Sequence, residues 1–280
     1  MSTNGVTNEF RILRDYIEEN CGISLGDDKT YLVESRLVKL MAENGCNDYA
    51  GFVRLAKSNP ALQLRDKIVD AMTTNETLWF RDTHPFTILR EKLLPPLAAD
   101  LRSGKRLRVR IWSGASSTGQ EPYSIAMTVN EFCRANPDIK PAQYEIVATD
   151  ISPSALFIAN AGRYDGIAIS RGLPTDLRDR YFTLDGRTWV LDENLRRTVT
   201  FKRFNLQDSL APLGRFDIVF LRYVAIYFSP AFKRDLFARI ARATAGGGHL
   251  IVGAVESLRG FSDDFEPILH ANGTYYRSKL

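Results

Sequence analysis

The sequence has little of what several kinds of chemistry require. Its three cysteines, Cys21, Cys46 and Cys133, lie far apart and show no metal-ligand spacing. That argues against a disulfide framework and a cysteine-built zinc site, and a reduced, cytoplasmic protein is expected. Three histidines, His84, His249 and His270, are scattered along the chain, so no metal is expected. No uninterrupted apolar run reaches the roughly 18 residues of a membrane-spanning helix, and no direct membrane insertion is expected. The first thirty residues carry charges throughout, unlike a secretory signal. The Gly-x-Gly-x-x-Gly string of a dinucleotide site is also missing, which argues against a pyrophosphate cradle.

What is present is an ordinary globular composition. The 280 residues are 44% apolar, enough for one large domain or a medium and a small one. The net charge of +4 is mild but uneven: residues 1–92 hold 12 Lys/Arg and 14 Asp/Glu, residues 93–280 hold 25 and 19. Such an excess suits an acidic partner, although a normally solvated surface also accounts for it.

Residues 1–73 read as helices. Phe10, Leu13 and Ile17 recur at helical spacing and stop at Cys21-Gly22. A second helix follows Asp27-Asp28 and ends near Asn44-Gly45; a third runs from about Tyr49 to Lys57 and a fourth from Gln63 to Met72. After residue 106 the texture changes. Strand patterns at Leu107–Trp112, Tyr144–Thr149, Phe216–Leu221 and His249–Val252 alternate with helical ones at Tyr123–Cys133, from Pro153, and from Pro230 to Thr244, where Gly246-Gly247-Gly248 reads as a stop. A final strand pair is expected at Phe265–His270 and Thr274–Arg277. Alternation of this kind predicts an α/β fold, a parallel sheet with helices on both faces. One segment departs from it. Asp185-Gly186 is a hairpin signal between Tyr181–Leu184 and Thr188–Leu191, and Thr198–Arg203 offers a third strand, so a small antiparallel insertion is expected over about residues 176–203.

In such a sheet, ligands bind beyond the carboxyl ends of the strands where strand order reverses. Gly114 and Gly119 in the loop after the first strand allow a tight turn and close approach of a ligand. Glu121, at the expected helix start, complements the helix dipole or binds a cationic group. Asp150 ends the second strand, where an acid takes ribose hydroxyls or simply starts a helix.

Four strings in order carry a resemblance: Thr74 to Arg81 (TNETLWFR), Ser117 to Ser124 (STGQEPYS), Ala148 to Ile151 (ATDI) and Arg222 to Phe228 (RYVAIYF). Together they resemble the chemotaxis receptor methyltransferases, the CheR family, over nearly the whole chain. The resemblance implies an all-α N-terminal domain (residues 1–73) that contacts receptors. It implies a class I, Rossmann-like, S-adenosylmethionine (SAM)-dependent methyltransferase domain (74–280) with a small antiparallel β-subdomain. The implied reaction converts receptor glutamates to methyl esters for chemotactic adaptation, leaving S-adenosylhomocysteine (SAH). The acceptor carboxylate is ionised at neutral pH, with a pKa of about 4.3, so no general base is needed, which suits a chain poor in histidine.

By the same resemblance Asn75, Thr77 and Arg81 line the cofactor pocket. Glu121 holds the SAM amino group, Asp150 the ribose, and Asn205 and Leu206 frame the adenine. Arg222 and Tyr227 face the reacting centre, and Arg81 and Tyr227 act catalytically. Tyr223 stands where the family has Asn and joins the cofactor set. The second helix would meet the acidic cytoplasmic helices of methyl-accepting receptors through Arg36 and Lys39, with Lys29 near the same side, placing the enzyme at membrane receptor arrays. The short Asp185-Gly186 turn favours recognition independent of a receptor tail peptide. A monomer is expected. A nucleic-acid methyltransferase, suggested by the basic stretch Arg102 to Arg110, is the rival reading; the Asn/Asp-Pro-Pro-aromatic motif of amino-methylating enzymes is absent, and no nucleic acid is expected as partner.

Overall fold

A computed structural model describes residues 3–270 and 272–280. The chain begins with four helices: α1 (Thr3–Cys21), α2 (Thr30–Glu43), α3 (Tyr49–Ser58) and α4 (Leu64–Met72). Each is amphipathic, and their apolar stripes meet in a core that includes Leu13, Ile17, Val33, Leu37, Phe52 and Ile68. Local chemistry sets their ends. Asp48 caps α3 by accepting a hydrogen bond from the Gly51 amide at 2.6 Å.

A helical run then leads to the sheet: α5 (His84–Ile88), a π-turn over Leu89–Leu93, and α6 (Leu94–Arg102). The sequence pattern does not announce this run, because Pro95-Pro96 reads as a break. The prolines sit in the first turn of α6, where their missing N–H groups cost nothing within that helix, and the preceding ladder widens to a π-turn.

The alternating elements follow: β1 (Val109–Gly114), α7 (Gln120–Ala135), β2 (Tyr144–Asp150), α8 (Pro153–Ala161), β3 (Arg163–Asp165), α9 (Gly166–Ser170), α10 (Thr175–Tyr181), β4 (Phe182–Asp185), β5 (Thr188–Leu191), α11 (Glu193–Arg196), β6 (Val199–Arg203), β7 (Phe216–Leu221), α12 (Pro230–Ala243), β8 (Thr244–Ile251), β9 (Phe265–His270) and β10 (Gly273–Ser278). The large sheet has the order β6-β2-β1-β7-β8-β10-β9. Strands β6, β2, β1, β7 and β8 run parallel, and β10 runs antiparallel to both its neighbours. Both faces are covered, so the central strands read as nearly unbroken apolar runs. In β7, Ile218 and Phe220 point into one core and Val219 and Leu221 into the other. From β1 the chain moves outward to β2 and β6, then crosses back to β7 on the other side. The crevice at that reversal is the fold's natural ligand site.

Three expectations need correction. Thr198–Arg203 does not complete the small sheet. Val199–Arg203 pairs in parallel with β2 in the large sheet, and the small sheet is β3-β5-β4, with Arg163–Asp165 as its third strand. The insertion therefore spans 163–191 rather than 176–203. An isolated apolar-alternating run cannot reveal its partner, and β6 finds a longer one in β2. Second, Gly246-Gly247-Gly248 follows the end of α12 at Ala243 as expected, but the glycines lie inside β8, and the strand does not wait for His249. The pairing with β7 jumps from Phe216↔Thr244 to Ile218↔His249, a bulge that takes up the glycines. Gly247 has φ +71°, and a Cβ on Gly248 would sit 2.9 Å from the Asp217 carbonyl. Third, the first strand begins at Val109, not Leu107, whose side chain is exposed.

Trp79 ties the segment after α4 to the small sheet. Its ring is fully buried, edge-on to Tyr164 and Phe182 at 5.0 and 5.4 Å. Its indole N–H donates to the Ala168 carbonyl at 3.0 Å. Truncation leaves a large cavity and an orphaned carbonyl. Trp79→Ala is expected to cost about 3–5 kcal/mol of stability, read from urea unfolding of the full chain; a loss below about 1 kcal/mol would show that the segment is not anchored there.

Candidate active site

At the crossover lies an open cleft, where open α/β sheets bind their ligands. All ten pocket residues expected from the sequence line it: Asn75, Thr77, Arg81, Glu121, Asp150, Asn205, Leu206, Arg222, Tyr223 and Tyr227. They arrive from five directions.

The β1–α7 loop forms the floor. Gly119 has φ +96°, and a Cβ there would meet Ala159 and the Tyr164 hydroxyl at 3.0 Å; glycine is required for the turn. The loop closes on Asp150, at the end of β2. The Ser117 amide donates to Asp150 Oδ2 at 2.7 Å and the Ser152 amide to Oδ1 at 2.9 Å. Asp150 is buried. Burial pushes its carboxyl above the usual range, against the pull of these backbone N–H groups. No cation pairs with it among the described residues. Each oxygen retains acceptor capacity, which fits a donor pair such as a ribose diol. The Ser116 hydroxyl, also in the lining, is buried without a partner.

The segment after α4 forms one wall. The Asn75 carbonyl accepts from Ser117 Oγ at 2.9 Å, and its side-chain amide reaches Ser152 Oγ at 3.4 Å. This wall is gripped from α2. Arg36 donates through Nη1 to the Met72 carbonyl at 2.7 Å and through Nη2 to Thr74 Oγ1 at 3.1 Å. Arg36, expected as a receptor contact, thus has its guanidinium committed to the chain, because α2 packs where the Met72–Thr74 carbonyls and hydroxyl need donors. Lys39, its expected companion, is 90% exposed with a single loose partner, Glu43 at 3.9 Å.

The opposite wall combines the end of β6 with α1. Asn205 donates to the Asn20 carbonyl at 2.9 Å and accepts from the Gln207 amide at 3.0 Å. Its side chain therefore joins the two parts of the chain. Leu206 belongs both to the lining and to a core cluster. Cys21 and Ile23 complete this wall, and Ser24 N–H donates to the Tyr227 carbonyl at 2.8 Å.

The polar centre lies beyond β7. Arg222, 2% exposed, donates through Nη1 to Glu121 Oε2 at 2.8 Å and through Nη2 to Asp82 Oδ2 at 2.7 Å and the Arg81 carbonyl at 2.7 Å. Glu121 Oε1 accepts from Ser113 Oγ at 2.8 Å. So Glu121 occupies the first turn of α7 and lines the cleft at once. Desolvation raises the Asp82 carboxyl, but the Tyr223 hydroxyl bond and the Arg222 charge outweigh it and hold it below its ordinary value. Tyr223 has φ +57°, a left-handed conformation costing a bulky side chain about 1–3 kcal/mol. Asn adopts it readily. Glu256 holds the strained backbone, its Oε2 accepting from the Tyr223 amide at 2.6 Å and the Gly253 amide at 2.8 Å. Asp82 and Glu256 were not found from the sequence. An acid beside His-Pro reads as a helix start, and Glu256 lies in a loop without pattern.

Among the described residues no cluster of His, Cys, Asp and Glu could hold a metal ion, and no helix is long and apolar enough to cross a membrane.

Comparison with known proteins agrees with this geometry. Residues 75–273 match the CheR methyltransferase SAM-binding domain, and residues 8–73 match the CheR methyltransferase all-alpha domain. The chain is 44% identical over 280 residues to the chemotaxis protein methyltransferase Cher2 of Pseudomonas putida, covering 100% of both chains. It is 44% identical over 272 residues to chemotaxis protein methyltransferase 1 of Pseudomonas aeruginosa, covering 97% of this chain and 98% of that one. A chemotaxis protein methyltransferase of Vibrio parahaemolyticus is 46% identical over 273 residues, 97% of each. With a SAM-binding domain matched over residues 75–273 and an all-α domain over residues 8–73, this chain belongs to the CheR family of SAM-dependent methyltransferases.

Proposed function

We propose that the enzyme methylates glutamate side chains of chemoreceptors, with Asp150, Glu121 and the Asn75–Thr77 wall holding SAM and with Arg81 and Tyr227 orienting the reacting groups. The observation that carries this reading is the convergence of all ten residues on one cleft at the strand reversal. When bound, SAM supplies a methyl carbon on a positively charged sulfur. A glutamate carboxylate is already anionic at neutral pH, so the protein's task is alignment and exclusion of water. Arg222 is neutralised by Glu121 and Asp82, whereas among the described residues the Arg81 side chain makes one hydrogen bond, to the Glu76 carbonyl at 3.2 Å. Arg81 therefore has the donors with which to steer a carboxylate, and it accelerates the step only to the extent that its bonds persist in the transition state. Tyr227 faces the cleft from the Ala225–Tyr227 turn. The helical domain, residues 1–73, would meet the receptor through the α2 surface around Lys39. The β4–β5 hairpin turns tightly at Gly186, φ +62°, which supports recognition without a receptor tail peptide.

Tritiated SAM with receptor membranes is expected to give base-labile label on receptor. Label on nucleic acid, or none, would overturn the reading. Arg81→Ala should lower turnover roughly 100-fold; unchanged kcat and receptor KM would remove Arg81 from the site.

Ionised Asp150 accepts from a diol on both oxygens, whereas protonation turns one of them into a donor and weakens the contact, and burial holds its carboxyl above the ordinary carboxylate range. SAH affinity measured by calorimetry is therefore expected to rise with pH through the mildly acidic region and then level off. Asp150→Asn should bind about 10–100-fold more weakly with that pH dependence reduced. Equal affinity for the variant would remove the ribose assignment.

Lys39 and Arg36 should separate. Lys39→Ala is expected to slow receptor association severalfold and flatten its salt dependence, with SAH affinity intact. Arg36→Ala should loosen the Met72–Thr74 wall and weaken SAH binding even without receptor. A Lys39 variant with unaltered salt dependence would place the receptor elsewhere.

A further inference from the structure

Tyr223 carries an unfavourable backbone conformation for a bulky residue, and two carboxylates hold it in place. Glu256 accepts its amide N–H at 2.6 Å, and Asp82 accepts its hydroxyl at 2.5 Å. A side chain clamped at both ends in a strained loop is a fixed surface. The Arg81 guanidinium rests on that surface, 3.6 Å from the ring centroid. Arg81 has no carboxylate within salt-bridge distance among the described residues, while the neighbouring Arg222 has two. The cleft therefore contains one neutralised guanidinium and one whose plane is set by an aromatic face and whose edge remains available. Planar stacking suits guanidinium and not ammonium.

We propose that Tyr223 is a positioning residue: its ring fixes the plane of Arg81 so that the guanidinium edge meets a carboxylate entering the cleft. The proposal rests on the methyltransferase reading above and adds how Arg81 is oriented in this chain. The hydroxyl bond to Asp82 holds the ring, and Asp82 in turn shares Arg222, so the two arginines are kept in different roles by one carboxylate. Two carboxylates have access to the cleft, that of the cofactor's amino acid moiety and that of the acceptor glutamate, and both would be recognised by the same edge.

The test uses the full-length enzyme with three replacements. Tyr223→Asn suits the left-handed backbone and so preserves the loop, but it removes the ring. Tyr223→Phe keeps the ring and loses the hydroxyl. Arg81→Ala removes the stacked partner. Tyr223→Asn is expected to lower kcat/KM for receptor about 10-fold or more, and Tyr223→Phe to recover most of that loss. In the Arg81→Ala background, Tyr223→Asn should have little further effect, because the ring then has nothing to orient. A loss seen as weaker SAH binding assigns the edge to the cofactor carboxylate; a loss seen as higher receptor KM at unchanged SAH affinity assigns it to the acceptor. The proposal is overturned if Tyr223→Asn matches the native enzyme in both measurements. It is equally overturned if Tyr223→Phe falls as far as Tyr223→Asn, or if the losses from Tyr223→Asn and Arg81→Ala simply add. Failure of the native enzyme itself to bind SAH would instead overturn the methyltransferase reading.

Discussion

The buried guanidinium of Arg222 is the joint on which the cleft depends. It comes from the loop after β7, reaches Glu121 at the start of α7 and reaches Asp82 in the segment that follows α4. Three pieces of chain remote in sequence are held by one planar group. Its fork geometry matches this task, because two nitrogens address two carboxylates and one of them also serves the Arg81 carbonyl. Burying such an arrangement gains little net stability. Removing one partner, however, leaves an uncompensated charge and costs about 3–5 kcal/mol. The arrangement thus fixes position more than it adds stability. The backbone around it is strained accordingly: Phe80, Asp82, Thr83 and Tyr223 all have positive φ, and strain of this kind persists where surrounding contacts over-determine the chain.

The helical domain completes the site. Its own core is separate from the two that cover the sheet, yet the end of α1 forms part of the cleft wall, and Arg36 in α2 grips the opposite one. Arg203 adds an ion pair to Asp66 across the same junction. Any force on α2 therefore acts on the Met72 carbonyl and on the Thr74 hydroxyl, next to Asn75. The helix proposed to meet the receptor and the wall proposed to hold the cofactor are joined by a single side chain.

Much of this was legible in the sequence, for a physical reason. Helical and strand periodicities report burial, and burial is decided locally: Phe10, Leu13 and Ile17 mark α1, and the apolar run Phe216–Leu221 marks a strand covered on both faces. Glu121 and Asp150 were legible because a ligand site at a strand reversal draws on strand ends and the loops that follow them, whereas the other expected cleft residues came only from the family resemblance. Partner choice was not legible. Val199–Arg203 has the pattern of a strand, but only the assembled sheet decides that it pairs with β2. The glycines in β8 read as a stop because a bulge and a turn demand the same backbone freedom. Arg36 looked available because spacing along a helix shows which face a residue occupies and not which carbonyls lie opposite. Asp82 and Glu256 act only through the strained Tyr223 loop, which leaves no mark in the pattern.

The charges of the cleft bear on how an anionic acceptor enters at all. Asp82 and Glu121 pair with Arg222, Asp150 and Arg81 have no ion-pair partner among the described residues, and Glu76 is paired outward with Arg171. With every acid ionised, the five central groups sum to one negative charge, which would repel a glutamate carboxylate in a setting of reduced dielectric. SAM carries an ammonium, a carboxylate and a sulfonium, so its binding adds one positive charge and brings the sum to zero. After transfer the sulfonium is gone and the acceptor is a neutral ester, so neither product is held by that attraction. An unbalanced acid in the resting cleft is therefore compatible with the chemistry. It repels an anion until a methyl donor cancels it, and under the proposed assignment Arg81, the cation without an acid of its own among the described residues, would then receive the acceptor.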